Sequence, residues 1–294
     1  MGTSYTIVVD STTDLTPELA EKWGLTVIPY LFTLDGKDYY NHLDYRELSS
    51  KDFYDTLRDG KLASTTLVTI PRYMEVWEPI LKEGKDILYM CLSSNLSKSY
   101  EQSVMAAREA MEAYPDRKVI AIDSKSASLG QGLLAYYAAK ARDEGKGLGE
   151  NAAYIEEIIT KLHHWVVPDD LHHMRRGGRV SATKAFVGTM LNVKPVLTVN
   201  HEGRIIPVGK ARGWSKAIVD LVGRMDEYKM SPKDQTVIIA HSDAPDKAQQ
   251  LADAMKEKYN GIEIITIGIG PVIGTHTGPG TVAVAFLGNE RAKV

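Results

Sequence analysis

Residues 87–92 read Ile-Leu-Tyr-Met-Cys-Leu, a run of six apolar side chains without polar alternation. Runs of this kind are typical of strands covered on both faces, as in parallel sheets with helices on either side. Polar residues follow at once in Ser93-Ser94-Asn95-Leu96-Ser97, so the strand ends in a loop. The stretch therefore predicts a buried strand of an α/β domain.

The segment before this run predicts one strand and three helices. Tyr5 to Val9 is a short β-branched strand, and Thr16-Pro17-Glu18 supplies an N-cap, a proline at the first helical position and an early acid. A second helix is predicted after Ser49 and a third near Pro71, where apolar residues recur at helical spacing.

Strands and helices also alternate after the run. A helix is predicted from about Ser99, a strand at Val119 to Ile122 and a helix near Gln131. This order predicts a doubly wound, mostly parallel sheet in the first half of the chain.

Two domains fit the length of 294 residues, which allows two separate hydrophobic cores. The pattern changes after a helix predicted at Tyr154 to Leu162. A strand and then the basic, glycine-containing turn Arg175 to Arg179 follow it in the sequence. We therefore expect an N-terminal domain at residues 1–162 and a C-terminal domain at residues 163–294. We expect the last loop and strand, from about residue 270, to pack back on the N-terminal domain.

The second region predicts a smaller α/β domain with a mixed sheet. A strand at Trp165 to Val167 comes first, and Val196 to Val199 and Arg204 to Val208 then flank a four-residue loop as an antiparallel hairpin. Apolar strands at Val237 to Ala240 and Ile262 to Ile269 alternate with helices.

Composition excludes some classes of function. The net charge of −3, from 35 basic and 38 acidic residues, gives no basic field for nucleic acid or an anionic membrane, so we expect neither partner. The N-terminus lacks the pattern of a signal peptide, and we expect a cytoplasmic protein. The single cysteine, Cys91, allows no intrachain disulfide and is expected to be a small buried hydrophobe.

Cofactor motifs are missing from the sequence. It contains no P-loop, no kinase signature set and no G-x-G-x-x-G turn after a strand. The pairs His163-His164 and His172-His173 make poor metal sites because neighbouring residues point apart, and we expect them on a polar surface near the domain junction. We expect no cofactor and no metal.

Three polar segments adjoin apolar strands or helices: Ser64-Thr65-Thr66, Ser93 to Ser97, and Gly274 to Gly280. Open α/β sheets bind ligands at loops of this kind. Hydroxyls, an imidazole and backbone N–H groups freed by glycine suit one small anionic head such as a carboxylate. Singly, each hydroxyl is more typical of a cap or turn, and His276 fits a turn as well as a ligand contact.

In this order the motifs resemble those of the DegV family across nearly the whole chain. The matching segments are Val9 to Leu15, Ser64 to Thr66, Ser93 to Ser97, Asp123-Ser124, Gly177-Gly178-Arg179 and Ile273 to Gly280. The resemblance implies two α/β domains and a fatty acid in a tunnel between or within them. It also implies that the protein is not itself an enzyme, and that it serves phospholipid metabolism by presenting the fatty acid to a separate ATP-binding kinase subunit.

The family pattern assigns the ligand carboxylate to Thr65, Ser97 and His276, with Ser94, Thr66 and Lys98 beside them. Two positions depart from it. Leu67 stands where glutamine is usual, and Lys98 replaces a glycine, so a different head-group geometry or an added positive charge is open at that position.

Arg176, Arg179 and Arg212 match the region that family members offer to the kinase subunit. We expect these arginines on turns distinct from the head-group loops. Without the resemblance, arginines after a tight turn are usually solvated.

A small-molecule hydrolase is the alternative function, with a serine of Ser93 to Ser97 as nucleophile and His276 as base. Against it, the sequence has no Gly-x-Ser-x-Gly elbow and no acidic residue near His276 to orient the imidazole.

Overall fold

The structure, a computed structural model, describes residues 4–169, 171–180, 192–228, 231 and 235–291. The strands are β1 (Tyr5–Asp10), β2 (Leu25–Ile28), β3 (Tyr30–Leu34), β4 (Lys37–Asn41), β5 (Ala63–Thr65), β6 (Asp86–Cys91), β7 (Val119–Asp123), β8 (Leu162–Val167), β9 (Val193–Val199), β10 (Ile205–Arg212), β11 (Thr236–His241), β12 (Glu263–Gly268) and β13 (Val282–Leu287). The helices are α1 (Pro17–Lys22), α2 (Ser50–Arg58), α3 (Ile70–Lys82), α4 (Ser99–Ala113), α5 (Leu129–Asp143), α6 (Leu148–Ile159), α7 (His172–Gly177), α8 (Gly213–Glu227), α9 (Pro245–Lys258) and α10 (Pro271–Thr277), with a short 3-10 helix at Ser11–Thr13.

The first sheet is parallel throughout and has the strand order β2-β1-β6-β7. Along β6, Ile87, Tyr89 and Cys91 pack with residues of α3 and α4, whereas Leu88 and Met90 pack with residues of α5 and α6. Every residue of β6 is buried because helices cover both faces of the sheet. The parallel strand predicted from residues 87–92 is therefore confirmed.

The second sheet is mixed, with the order β10-β9-β8-β13-β11-β12. β11 and β12 are parallel, and the other neighbouring pairs are antiparallel. The predicted hairpin is confirmed, since Val199 lies opposite Ile205 across the loop. The mixed sheet predicted for the second region is confirmed, and it has six strands where the parallel sheet has four.

Helix α5 lies between the two sheets and contacts β1 and β6 on one side and β11 and β13 on the other. Small residues such as Gly130, Ala135 and Ala138 allow this close approach, and the helix is buried almost all round. One hydrophobic cluster runs from Leu88 through Leu134 to Ala285. The two regions thus share apolar contacts through α5.

Residues 30–65 contain a three-stranded antiparallel sheet, ordered β4-β3-β5, that was not predicted. Tyr30, Phe32 and Leu34 are its buried side chains and alternate with less buried ones. Asp35 and Gly36, both at positive φ, form the two-residue turn between β3 and β4. The segment before Thr65, predicted as a loop, is the third strand.

Two predicted loops are helical. Pro271 opens α10 at its first turn, so His276 lies on a helix. Arg175 and Arg176 lie in α7, which ends where Gly178 takes a left-handed conformation. Strand β13 pairs with β8 and β11 inside the second sheet and also contacts α5. Helix α10 contacts β3, β5 and α2 of the first region.

The helix predicted at Tyr154 to Leu162 ends earlier, at Ile159, and Leu162 already begins β8. His163 and His164 on β8 are buried, not on a polar surface, because both faces of this strand are covered. The ring of His163 stacks on Phe286. Among the residues that the structure describes, no helix is both long enough and apolar enough to cross a bilayer.

Candidate functional site

A cavity of about 230 Å³ lies where the parallel sheet, the three-stranded sheet and elements of the second region meet. Its apolar wall is formed by Leu67, Leu92, Leu96, Ala127, Met174, Ile205, Val272 and Ile273. Polar side chains join the same wall, namely Tyr30, Thr65, Thr66, Ser97, Lys98, Arg179, His276 and Thr277. An apolar cavity with a few converging polar groups is the usual form of a small-molecule site.

Thr65 and His276 are in direct contact although 211 residues separate them in the chain. Thr65 ends β5, where it pairs with Phe32, and His276 lies near the end of α10. The Thr65 Oγ1 and His276 Nε2 atoms are 3.0 Å apart, which is a hydrogen bond. The fold therefore brings together two of the three residues that the family pattern assigns to the head group.

Ser97 is the third of these residues, and its hydroxyl belongs to a small network. The Ser99 N–H donates to Ser97 Oγ at 3.2 Å, the two serine hydroxyls are 3.0 Å apart, and the Val68 N–H donates to Ser99 Oγ. When Ser99 also donates its hydroxyl hydrogen to Ser97, both acceptor positions of Ser97 Oγ are filled. The Ser97 O–H is then free to donate into the cavity.

His276 is a neutral imidazole at pH 7. Burial and, to a lesser extent, the positive charges of Arg179 and Arg176 together lower its pKa to about 4. Its Nδ1 atom is buried against Gly177, where an added Cβ would lie only 2.3 Å away. Glycine at this position is what allows α7 and α10 to approach closely enough for His276 to reach Thr65. The sequence showed Gly177 in a motif but gave no sign of this contact.

The other three head-group candidates, Thr66, Lys98 and Ser94, differ in whether they line the cavity. Thr66 and Lys98 line the cavity, but the Lys98 ammonium is largely solvent-exposed and pairs with Glu101 at 2.7 Å. Lys98 has a φ of −78°, so lysine occupies this position without the strain that would favour glycine. Ser94 donates its hydroxyl to Asp123 at 2.6 Å and thereby anchors the loop after β6.

The tip of the β9–β10 hairpin closes over this loop, a contact that the sequence did not indicate. Asn95 donates to the carbonyl of Glu202 at 2.7 Å and accepts from Arg204 at 3.1 Å. Ser93 Oγ donates to the carbonyl of Gly203 at 2.9 Å. These bonds join the head-group loop of the first region to the second sheet.

The arginines are not all distinct from the head-group loops, contrary to expectation. Arg179 lines the cavity, and its Nε donates to the carbonyl of Leu96 at 3.3 Å. A second cavity, of about 460 Å³, adjoins the first and is lined by Arg176, Arg179, Thr65 and His276 among others. Arg212 lies elsewhere, exposed at the end of β10. Arg176 and Arg179 approach the polar side of the site because α7 packs against α10.

The hydrogen bonds of the serine loop do not match a nucleophile and its base. Ser93 and Ser94 donate to Gly203 and Asp123, and the hydrogen bond of His276 Nε2 goes to Thr65. Nucleophilic catalysis requires the base to hold the proton of the attacking hydroxyl. This geometry is better suited to holding an anion.

Comparison with known proteins gives a family match over nearly the whole chain. The family model described as an uncharacterised protein of the DegV family matches residues 4–289. The chain belongs to the DegV family. A DegV domain-containing protein of Clostridium perfringens is 39% identical over 287 residues, covering 98% of both chains.

Solved DegV structures share the whole fold. The fatty-acid-binding DegV family protein of Thermus thermophilus is 28% identical with a TM-score of 0.88, covering 97% of this chain and 99% of that chain. The DegV lipid binding protein of Thermotoga maritima is 27% identical with a TM-score of 0.87, covering 98% and 100%. The fatty acid binding DegV of Bacillus subtilis is 26% identical with a TM-score of 0.84 and the same coverage. The α/β architecture with one parallel and one mixed sheet is thus that of DegV proteins.

Proposed function

We propose that this DegV protein binds a long-chain fatty acid, with its carboxylate held by Thr65, Ser97 and His276. The observation that carries the proposal is that all three side chains line one largely apolar cavity, with Thr65 and His276 in direct contact. Relatives of the same fold from Thermus thermophilus and Bacillus subtilis bind fatty acids.

The acyl chain supplies most of the affinity in this proposal. Each buried methylene contributes roughly 0.8 kcal/mol. Leu92, Val272 and Ile205 offer the apolar contacts that this chain requires.

The head group contributes orientation and selectivity for the acid. A carboxylate accepts charge-assisted hydrogen bonds from the hydroxyls of Thr65 and Ser97. When the neutral His276 carries its hydrogen on Nε2, it donates to Thr65 and leaves the Thr65 hydrogen for the ligand. Arg179 adds a positive charge at the same side of the cavity.

We further propose that the protein presents the bound fatty acid to a separate ATP-binding kinase subunit and does not transfer phosphate itself. The second cavity, with Arg176 and Arg179, adjoins the proposed head-group position and suits the approach of negatively charged nucleotide phosphates. Arg212, exposed at the end of β10, extends the proposed contact surface. Domains at residues 1–162 and 163–294 remain part of this proposal, with the cavity between them.

Native mass spectrometry of the purified full chain tests fatty acid binding. We expect a retained mass equal to that of a long-chain fatty acid, and restoration of that mass when delipidated protein is given hexadecanoic acid. Ester hydrolysis is assayed on the same sample. A chain that neither retains nor takes up the acid, or that turns over an ester, contradicts the proposal.

A further inference from the structure

Tyr30 is a buried phenol in the wall of the proposed fatty acid cavity. Its side chain is only 2% exposed, and it lines the same cavity as Thr65, Ser97 and His276. It begins β3, where its own N–H donates to Ser11 Oγ at 3.0 Å and so fixes the backbone.

The Tyr30 hydroxyl has no hydrogen-bond partner among the residues that the structure describes. The hydroxyls of Ser97 and Ser99 are close enough to lower its pKa slightly, but they do not have hydrogen-bond geometry with it. Burial raises the pKa of Tyr30 far above its usual value, so the phenol keeps its hydrogen as a donor.

The neighbouring serines do not accept a hydrogen bond from this phenol in the structure. Ser97 Oγ accepts from the Ser99 N–H, and Ser99 Oγ accepts from the Val68 N–H. A buried hydroxyl left without an acceptor lowers stability. In native structures most buried hydroxyls have a hydrogen-bond partner, so this phenol calls for one from outside the described residues.

We propose that Tyr30 is a further hydrogen-bond donor to the carboxylate of the bound fatty acid. This inference rests on the proposed function. An ionised carboxylate offers about four lone-pair positions, and the hydroxyls of Thr65 and Ser97, with His276 bonded to Thr65, do not fill them all. Tyr30 reaches the ligand from the β3 side, next to Ser97, and thereby selects the free acid over an ester.

The variant Tyr30→Phe tests this inference on the delipidated full chain, with hexadecanoic acid and its methyl ester as probes. We expect the affinity for the acid to fall about tenfold and the affinity for the ester to change much less. The melting temperature of the ligand-free protein should not fall, because phenylalanine removes an unpartnered hydroxyl and keeps the ring.

Tyr259→Phe is the matched control. The Tyr259 hydroxyl donates to the carbonyl of Val222 and contacts Asp226 in the second region, and Tyr259 is absent from the lining of either cavity. We expect this variant to melt lower and to bind the acid as wild type does.

The outcomes separate the inference from the function. If wild type binds the acid and Tyr30→Phe binds it equally well, Tyr30 is not a ligand contact and the inference fails. Equal losses for acid and ester, or a lowered melting temperature of ligand-free Tyr30→Phe, assign Tyr30 a structural role and also overturn it. If wild type does not bind the acid, the proposed function itself fails.

Discussion

The first and second regions of the molecule position the polar groups of the cavity in different ways. On the side of the parallel and three-stranded sheets, Tyr30, Thr65 and Ser97 lie on strands or in the loop directly after one. The pairing of β3 with β5 and local hydrogen bonds, such as the one that the Ser99 N–H donates to Ser97, fix the positions of these side chains. The hydroxyl half of the site is therefore built within the first region.

On the side of the second region, His276 and Arg179 are positioned by contacts between helices. α7 and α10 pack together at Gly177, and an added Cβ on Gly274 would come within 2.5 Å of Tyr54 on α2. The imidazole and guanidinium groups thus depend on close packing between elements distant in sequence. The site is therefore complete only when the two regions are docked.

Gly130→Ala should produce the largest effect because it disturbs the contact between α5 and the second sheet. An added Cβ would lie 1.6 Å from His164 Nε2 on β8, and both residues are buried. We expect the free energy of unfolding to fall by about 2 to 3 kcal/mol in urea denaturation. Gly149→Ala on α6 is the control, because its Cβ meets nothing within 4 Å. If both variants unfold alike, α5 does not couple the regions.

Gly177→Ala should damage the site more than the fold. Its Cβ would push against His276 Nδ1 and move the imidazole away from Thr65. We expect the affinity for hexadecanoic acid to fall about tenfold, the loss of roughly one hydrogen bond to a charged group. Gly223→Ala on α8, with open space around it, should bind as wild type does. Wild-type affinity in Gly177→Ala would show that the position of His276 against Thr65 does not contribute to ligand binding.

Arg179→Ala and Arg212→Ala should separate the two proposed roles of the arginines. Arg179 lies beside the head-group loop but is exposed. We therefore expect Arg179→Ala to lose twofold to fivefold in affinity for the acid, equivalent to about 0.5 to 1 kcal/mol. This loss should shrink as salt is added. Arg212→Ala should leave lipid affinity unchanged, and both should weaken binding of a kinase subunit. Isothermal titration at two salt concentrations measures the first effect; loss of lipid affinity in Arg212→Ala would be the contrary result.

Acid should destabilise the second region through its buried histidines. Burial lowers the pKa of His163 and of His276 to about 4, and that of His164 well below its usual range. The unfolded chain therefore binds more protons below about pH 6.5, and stability is lost as the pH falls from there towards 4. Each histidine contributes at most about 1.4 kcal/mol per pH unit. His276→Gln should flatten this dependence in urea titrations; an unchanged slope would contradict the assignment.

Much of the fold could be predicted because its signals are local. The run at residues 87–92 predicts a buried parallel strand, and the polar loop between Val199 and Ile205 predicts a hairpin. The three-stranded sheet was missed because its alternating run at Tyr30, Phe32 and Leu34 is short and its next strand, Lys37–Asn41, is mostly polar. Helix α10 was taken for a loop because glycine and threonine are weak helix formers.

The site could be predicted only in part. Thr65, Ser97 and His276 stood out because they lie in motifs that resemble those of a family. Tyr30 and Gly177 did not, because their importance arises from contacts across the fold: a phenol without a partner, and a glycine against an imidazole. Single residues of this kind leave no periodic pattern in a sequence.

Selectivity for the free acid tests the head-group assignment most directly. Hexadecanoic acid and its methyl ester are titrated against wild type, Thr65→Val and His276→Ala, with melting curves to verify folding. Valine keeps the β-branched shape that β5 requires, and Thr56→Val on α2, which loses a hydroxyl bonded to the Asp52 carbonyl, is the control.

We expect Thr65→Val and His276→Ala to bind the acid about tenfold more weakly, because each loses a hydrogen bond that the charged carboxylate depends on. The methyl ester has no anionic oxygen, so its affinity should change much less, and Thr56→Val should bind both ligands as wild type does. Equal losses for acid and ester would contradict the central claim that Thr65, Ser97 and His276 hold a carboxylate.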